Sequence, residues 1–180
     1  MIVTDKNFLR KKSEFCSREE SENIFDLLDK EIRLHTEAVG LSAPQIGFSK
    51  RVFVIYDQYK PELKRLHKFL NPRIVELEDI IVDSYEGCLS LPGYKVKLKR
   101  NEEIVVEDEI NGKAVLYGLE AICFQHEYQH LNGILIIDIG EIIIQNNNRN
   151  KFIKIFKDKE IINVKYKTIQ KFLNNGWKII

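Results

Sequence analysis

Residues 125–133 read Gln-His-Glu-Tyr-Gln-His-Leu-Asn-Gly, and within them His126, Glu127 and His130 form an H-E-x-x-H motif. On a helix, residues four apart project from one face, so the imidazoles of His126 and His130 would converge closely enough to share a metal ion. Glu127, one position past the first ligand, could reach a water on that metal without binding the metal itself. Two imidazoles and a carboxylate base amount to a hydrolytic metal site that lacks its third protein ligand.

The chain has four histidines, at 35, 67, 126 and 130, and none follows His130. An extended zinc-peptidase motif would place its next His where Ile136 stands. A downstream acid, Glu141 or Glu160, would suit an endopeptidase of the H-E-x-x-H type. Upstream, Tyr85-Glu86-Gly87-Cys88-Leu89-Ser90-Leu91-Pro92-Gly93 sets a cysteine among small and turn-prone residues, where backbone can approach a metal. A thiolate with two imidazoles leaves a fourth position open, which is the catalytic arrangement rather than the structural one. Cys88 is therefore the preferred third ligand. Glu86 either orients the Cys88 loop through a hydrogen bond or is a solvated or capping carboxylate. Cys123, three residues before His126, reads as a packing residue, and Cys16, His35 and His67 belong to no constellation.

The elements that must position these groups follow from periodicity. Ser21–Thr36 carries apolar residues at helical spacing, with Ser21 as its N-cap. Strands are expected over 51–56, 94–98 and 103–110, with a turn at Asn71-Pro72 and a hairpin signalled by Asn111-Gly112 into Ala114–Tyr117. Leu119–Leu131 returns to helical periodicity and carries the motif. The residues after the Asn146–Asn148 run mix apolar residues and Lys and select neither helix nor strand. Strands gathered around one central helix predict an α+β single domain, with antiparallel sheets packed around the helix that bears H-E-x-x-H.

Totals narrow the setting. A chain of 180 residues with 44% hydrophobic content suits one domain with a real core. No stretch approaches the roughly 18 apolar residues of a membrane span, and Met1–Lys12 has no apolar run of the signal-peptide type. Three widely spaced cysteines form no disulfide framework, which points to a reduced, cytoplasmic setting. Residues 149–180 hold nine Lys or Arg and two acids, net +7, leaving −6 for residues 1–148. That division predicts a catalytic domain over 1–148 and a basic extension over 149–180 packed on it. The extension has two readings. A solvated basic face is favoured, because no aromatic-basic RNA-binding signature accompanies the charge. The other is a contact with the ribosome through its RNA. Neither DNA nor a membrane is indicated as a partner, and a monomer is the default.

Three motifs in order resemble those of the peptide deformylase family: Gly-x-Gly-φ-Ala-Ala-x-Gln (φ, aliphatic), Glu-Gly-Cys-Leu-Ser and Gln-His-Glu-x-x-His-Leu-x-Gly. The second is complete at Glu86–Ser90 and the third at Gln125–Gly133. The first appears at residues 38–45, with Ala38 for the leading Gly and Ser42 for one Ala. The likeness runs from about Asn7 to about Gly140.

This resemblance implies hydrolysis of the N-formyl group of N-formylmethionyl nascent peptides, releasing formate. It implies Cys88, His126 and His130 as metal ligands and Glu127 as general acid–base. The Gln45 side-chain amide and the Leu89 backbone N–H would hold the oxyanion. The segment at Val39 and Gly40 would pair with the peptide backbone, and Val39, Leu119, Ile122, Cys123 and His126 would line the methionine pocket. The implied cofactor is one divalent metal per chain, Fe²⁺, with Zn²⁺, Ni²⁺ or Co²⁺ as substitutes. A degenerate binding module that keeps only the fold would lack one of these groups, and none is missing.

Overall fold

The computed structural model describes residues 1–57, 65–145, 152–158, 160–165, 168–173 and 175–179. The expected tripeptide run Asn146–Asn148 lies outside them. The chain opens with α1 (Lys6–Leu9) and α2 (Arg18–Ile32), then β1 (Gly40–Ser42), a 3-10 turn (Ala43–Ile46), β2 (Val52–Tyr56) and β3 (Leu66–Leu70). It continues through β4 (Arg73–Leu77), β5 (Ile81–Cys88), β6 (Leu91–Asn101), β7 (Glu103–Asp108) and β8 (Gly112–Tyr117) to α3 (Gly118–Leu131). After α4 (Ile136–Ile139) and β9 (Glu141–Gln145) come β10 (Phe152–Lys157), β11 (Glu160–Lys165), α5 (Ile169–Leu173) and β12 (Lys178–Ile179).

Helix α2 starts four residues earlier than its apolar spacing suggested. Ser17, not Ser21, is the N-cap: its side chain accepts from the Glu20 N–H, while the Glu20 carboxylate accepts from the Ser17 N–H. That reciprocal box satisfies two donors a helix start would otherwise leave bare. Ser21 lies inside the helix, buried, its hydroxyl donating to the Arg18 carbonyl. The stripe Ser21, Ile24, Phe25, Leu28 and Ile32 faces inward, and the helix ends at Ile32 rather than Thr36.

The strands pair antiparallel in three-stranded sheets of order β1-β2-β3, β4-β7-β8, β5-β6-β9 and β11-β10-β12. The β7–β8 hairpin forms as expected, but its loop is longer than an Asn-Gly turn. Asp108 pairs with Gly112, and the Asp108 carboxylate accepts from the N–H groups of Ile110 and Asn111. The aspartate side chain, rather than a two-residue turn, organises the reversal.

Helix α3 sits at the centre. Phe124 meets Phe53 of β2 and Phe69 of β3 edge-on at 5.1 Å each, and Cys123, Ala121 and Leu131 join the same buried cluster. Such ring pairs contribute about 0.5–1.5 kcal/mol each beyond area burial, so they fix the rotation of the helix about its axis. The Gln125 amide clips that helix to the end of β6, donating to the Asn101 carbonyl at 2.7 Å and accepting from the Asn101 N–H at 3.1 Å. At the far end, Gly133 has φ 71°, and a Cβ there would stand 2.3 Å from the Arg10 carbonyl oxygen. Only glycine lets the chain leave α3 at that angle and that proximity.

The described residues after 151 fold into strands and a short helix. Ile155, Val164 and Ile169 form one buried cluster with Ile144 of β9. The even mixture of Lys and Ile that left these residues ambiguous is a sheet with one face turned in: Ile155 and Val164 are buried, while Lys154, Phe156 and Ile161 are exposed.

Candidate active site

Strand β5 delivers the first ligand candidate. Its inward face alternates Ser84, Glu86 and then Cys88, with a register shift between Glu86 and Cys88 where Gly87 sits. A bulge of this kind re-aims the next side chain, and the tight turn closed by Cys88 and Leu91 follows directly. Gly87 is therefore a bulge residue rather than one in the left-handed region. Helix α3 delivers the rest. Leu119, Ile122, Cys123, His126 and His130 recur at helical spacing, with Glu127 beside them.

The Cys88 Sγ lies 3.2 Å from His130 Nε2, and one donor atom each from Cys88, His126 and His130 falls within 4.8 Å of the others. Among the described residues no other group of His, Cys, Asp and Glu converges in this way. Glu141 and Glu160 are exposed and take no part, which removes the downstream acidic ligand an endopeptidase of this type would use. The donor set suits a divalent metal: one soft thiolate and two imidazoles, with a fourth position left over.

The second imidazole nitrogen of His126 is accounted for. His126 Nδ1 lies 2.8 Å from Glu86 Oε2, so it donates there and Nε2 is left for the cluster. Glu86 also accepts two bonds of 2.7 Å from the Arg100 guanidinium and one of 2.8 Å from the Ser84 hydroxyl. This carboxylate–imidazole link orients the ring and raises its basicity. Between the two readings of Glu86, the buried orienting role is the one observed, directed at His126 rather than at the Cys88 loop. Arg100 was not visible as a site residue in the sequence, where it is one basic residue among several on an alternating strand. Burial of both partners distinguishes it, with Arg100 2% and Glu86 9% exposed. Arg100→Met is expected to cost about 3–5 kcal/mol, because it strands a buried carboxylate. Urea denaturation of the variant checks this, and an unchanged midpoint would contradict the assignment.

Electrostatics follow from the packing. Burial alone would raise the Cys88 thiol, but the His130 and His126 imidazoles outweigh it and bring it down to about 5. Burial opposes protonation of His126, yet Cys88 and Glu86 hold its pKa up at about 10. The lowered thiol pKa favours the deprotonated ligand that a divalent metal requires. For Glu86, burial is overcome by Arg100 and His126, and its carboxyl is held far below the usual range. Burial dominates at Glu127 and pushes its carboxyl up, against the pull of His126 and His130. Burial likewise holds Cys123 at about 12, so this thiol stays neutral and packs, as its place in the aromatic cluster indicates.

Glu127 is 4% exposed, and its Oε2 has no hydrogen-bond partner among the described residues. A buried carboxylate oxygen without a partner is costly, which fits a group kept for water or substrate. The carboxylate packs against Gly40, where a Cβ would stand 2.8 Å from Glu127 Oε1. Gly40→Ala is expected to displace the carboxylate and lower kcat/KM by about 100-fold with metal content unchanged. Steady-state rates together with metal analysis read the two effects separately.

Gln45 is 2% exposed, and its Nε2 lies 3.5 Å from Cys88 Sγ. Leu89 is the first residue of the turn after Cys88. Strand β1 is an edge strand paired with β2, and Gly40, with Val39 before it, lies at its start. Val39 packs on the aromatic cluster, Ile122 is partly buried, and Leu119 is 51% exposed. Leu119 also lines a surface groove of about 410 Å³ with Ile80 and Tyr117. That groove contains none of Cys88, His126 and His130, so the site is located by its chemistry and not by cavity size. Ala38 does not have positive φ, a state confined to Asn71 and Asp158 among described non-glycine residues. Alanine therefore costs the backbone nothing there.

The profile of the polypeptide deformylase family matches residues 1–148. The chain belongs to that family. A peptide deformylase of Thermodesulfovibrio yellowstonii is 39% identical over 158 residues, covering 84% of this chain and 92% of the relative. One from Pseudothermotoga lettingae is 34% identical over 159 residues, covering 84% and 88%. Among solved structures, a probable peptide deformylase from Synechococcus phage S-SSM7 aligns with TM-score 0.70 and 34% identity, covering 77% of this chain and 98% of its own. The Plasmodium falciparum peptide deformylase aligns with TM-score 0.69 and 33% identity, covering 78% and 86%. As a member of the polypeptide deformylase family the chain is a metal-dependent hydrolase, and the Cys88–His126–His130 cluster is compatible with a metal site.

Proposed function

We propose that this chain removes the formyl group from N-formylmethionyl nascent peptides at the Cys88–His126–His130 site, with Glu127 as its acid–base group. The observation that carries the reading is the buried Glu127 Oε2, without a hydrogen-bond partner among the described residues, on the helix that also supplies two of the three converging ligands. A structural metal site has no use for such a carboxylate.

The metal these three residues would hold supplies Lewis acidity, enough to lower the pKa of a water from 15.7 to about 7. Glu127 accepts the proton from the attacking water, and the raised carboxyl pKa makes its carboxylate a stronger base for that step. The water oxygen bonds to the formyl carbon. The Gln45 Nε2 and the Leu89 N–H donate to the oxygen that gains charge, a contribution of about 10²–10³ in rate per donor. Glu127 then delivers its proton to the methionine nitrogen as the carbon–nitrogen bond breaks, and formate departs. The free edge at Val39 and Gly40 pairs with the peptide backbone as an added strand. Val39, Leu119, Ile122, Cys123 and His126 line the methionine side-chain pocket. A formyl carbon bears only hydrogen, and rejecting one methyl is worth about 1–3 kcal/mol in a close-fitting pocket.

Fe²⁺ is the proposed native metal, with Zn²⁺, Ni²⁺ or Co²⁺ as substitutes. Intrinsic divalent affinity favours Zn²⁺ over Fe²⁺, so availability must decide occupancy. The chain works in the cytoplasm, where its three free cysteines stay reduced, and no helix among the described residues is long and apolar enough to cross a membrane. Residues 1–148 form the catalytic domain, and 149–180 are a basic extension packed on it through Ile144. Its net charge of +7 is also suited to ribosomal RNA. Expression in a bacterium depleted of its own deformylase tests the function directly. Mass spectrometry should show new proteins losing the formyl group from their N-termini, and retained formyl groups would refute the reading. Sedimentation of the same extract at two salt concentrations reads the ribosome association.

A further inference from the structure

Ser42 occupies the position at which the first family motif carries alanine, and its hydroxyl is not idle. The side chain is fully buried. Its Oγ donates to Gln45 Oε1 at 2.8 Å, and its own backbone N–H donates to the same oxygen at 2.9 Å. A carbonyl oxygen has two lone pairs, so these two donors saturate it. Rotating the amide by half a turn would press an NH₂ group against the Ser42 backbone N–H in a buried site and break the hydroxyl's bond to Oε1. Only one orientation is left, with Oε1 held by Ser42 and Nε2 turned to the Cys88 side, 3.5 Å from Sγ.

We propose that Ser42 is a positioning residue for catalysis: its hydroxyl completes a two-donor clamp on Gln45 Oε1 and holds Nε2 in place for the developing oxyanion. The inference rests on Gln45 being that donor. An alanine at this position keeps the backbone half of the clamp, so the loss is part of what removing the donor itself would cost, about tenfold in rate against about 10²–10³. Binding of the peptide through β1 is untouched, which separates the effect on kcat from KM.

A double-mutant cycle on the metal-loaded enzyme tests this. Ser42→Ala should lower kcat for a formyl-Met peptide about tenfold with KM within about twofold and with metal content unchanged. Gln45→Ala should lower kcat further, and Ser42→Ala added to it should produce no additional loss. Full kcat in Ser42→Ala, or losses that multiply in the double variant, would overturn the clamp while leaving the role of Gln45 standing. Wild-type kcat in Gln45→Ala would overturn both. Side-chain amide NMR of the Zn²⁺-loaded protein gives a readout apart from activity. The Gln45 NH₂ should be ordered in the wild type and mobile in Ser42→Ala, and equal order in both would contradict the proposal.

Discussion

Glu127→Gln is expected to keep its metal and lose turnover. The substitution preserves shape in a site where the side chain is 4% exposed and packs against Gly40, so structure and the three ligands stay in place. What disappears is a group able to take a proton from water and return it to the leaving nitrogen. Acid–base groups of this kind contribute about 10²–10⁴ in rate, and kcat should fall by that factor with KM little changed. Metal content by elemental analysis and thermal stability should match the wild type. Because burial holds the native carboxyl above its usual pKa, replacing it by a neutral amide should not destabilise the fold near neutral pH. A variant that turned over normally would remove Glu127 from the chemistry.

Cys88→Ala tests the other half of the centre and should show the opposite pattern, with metal lost first and activity lost as a consequence. In the metal-free protein the thiolate is held at a pKa of about 5 by His130 and His126, so the ligand is poised as an anion at neutral pH. Taking it away leaves two imidazoles, one of them still tied to Glu86. Residues that merely support a ligand cost about 10–100-fold in metal affinity when lost, and loss of the ligand itself should exceed that. Competition with a metal-sensitive dye reads the change. Stoichiometric metal at wild-type affinity in Cys88→Ala would refute the ligand set.

The legible and the hidden parts of this site differ for physical reasons. His126, Glu127, His130 and Cys88 could be read from the chain because metal chemistry requires those residue types, and helical spacing places two of the ligands together. The α+β class was legible because the strand runs and the two long helices differ in period. Arg100 was hidden because its meaning depends on burial: on β6 it is one of several basic residues, and only the fold pairs it with Glu86. Ser42 was visible only as a departure from a motif. Its hydrogen bonds to Gln45 arise from a 3-10 turn that brings residues three apart face to face. Helix α2 starts at the capping box of Ser17 and Glu20, which stands in the sequence ahead of the Ser21 cap that the apolar spacing favours. The tail was ambiguous because Lys and Ile alternate in it with little turn punctuation, and its buried face becomes evident only where Ile144 receives it.

The most direct measurement is formate release by anaerobically prepared, Fe²⁺-loaded protein from a formyl-Met peptide, beside the same peptide acetylated and the same peptide with a free amine. The formylated peptide should yield formate stoichiometric with newly exposed methionine amine, and the other two should remain intact. Absence of formate from protein carrying one metal per chain, or cleavage of internal peptide bonds in any of the three, would contradict the account.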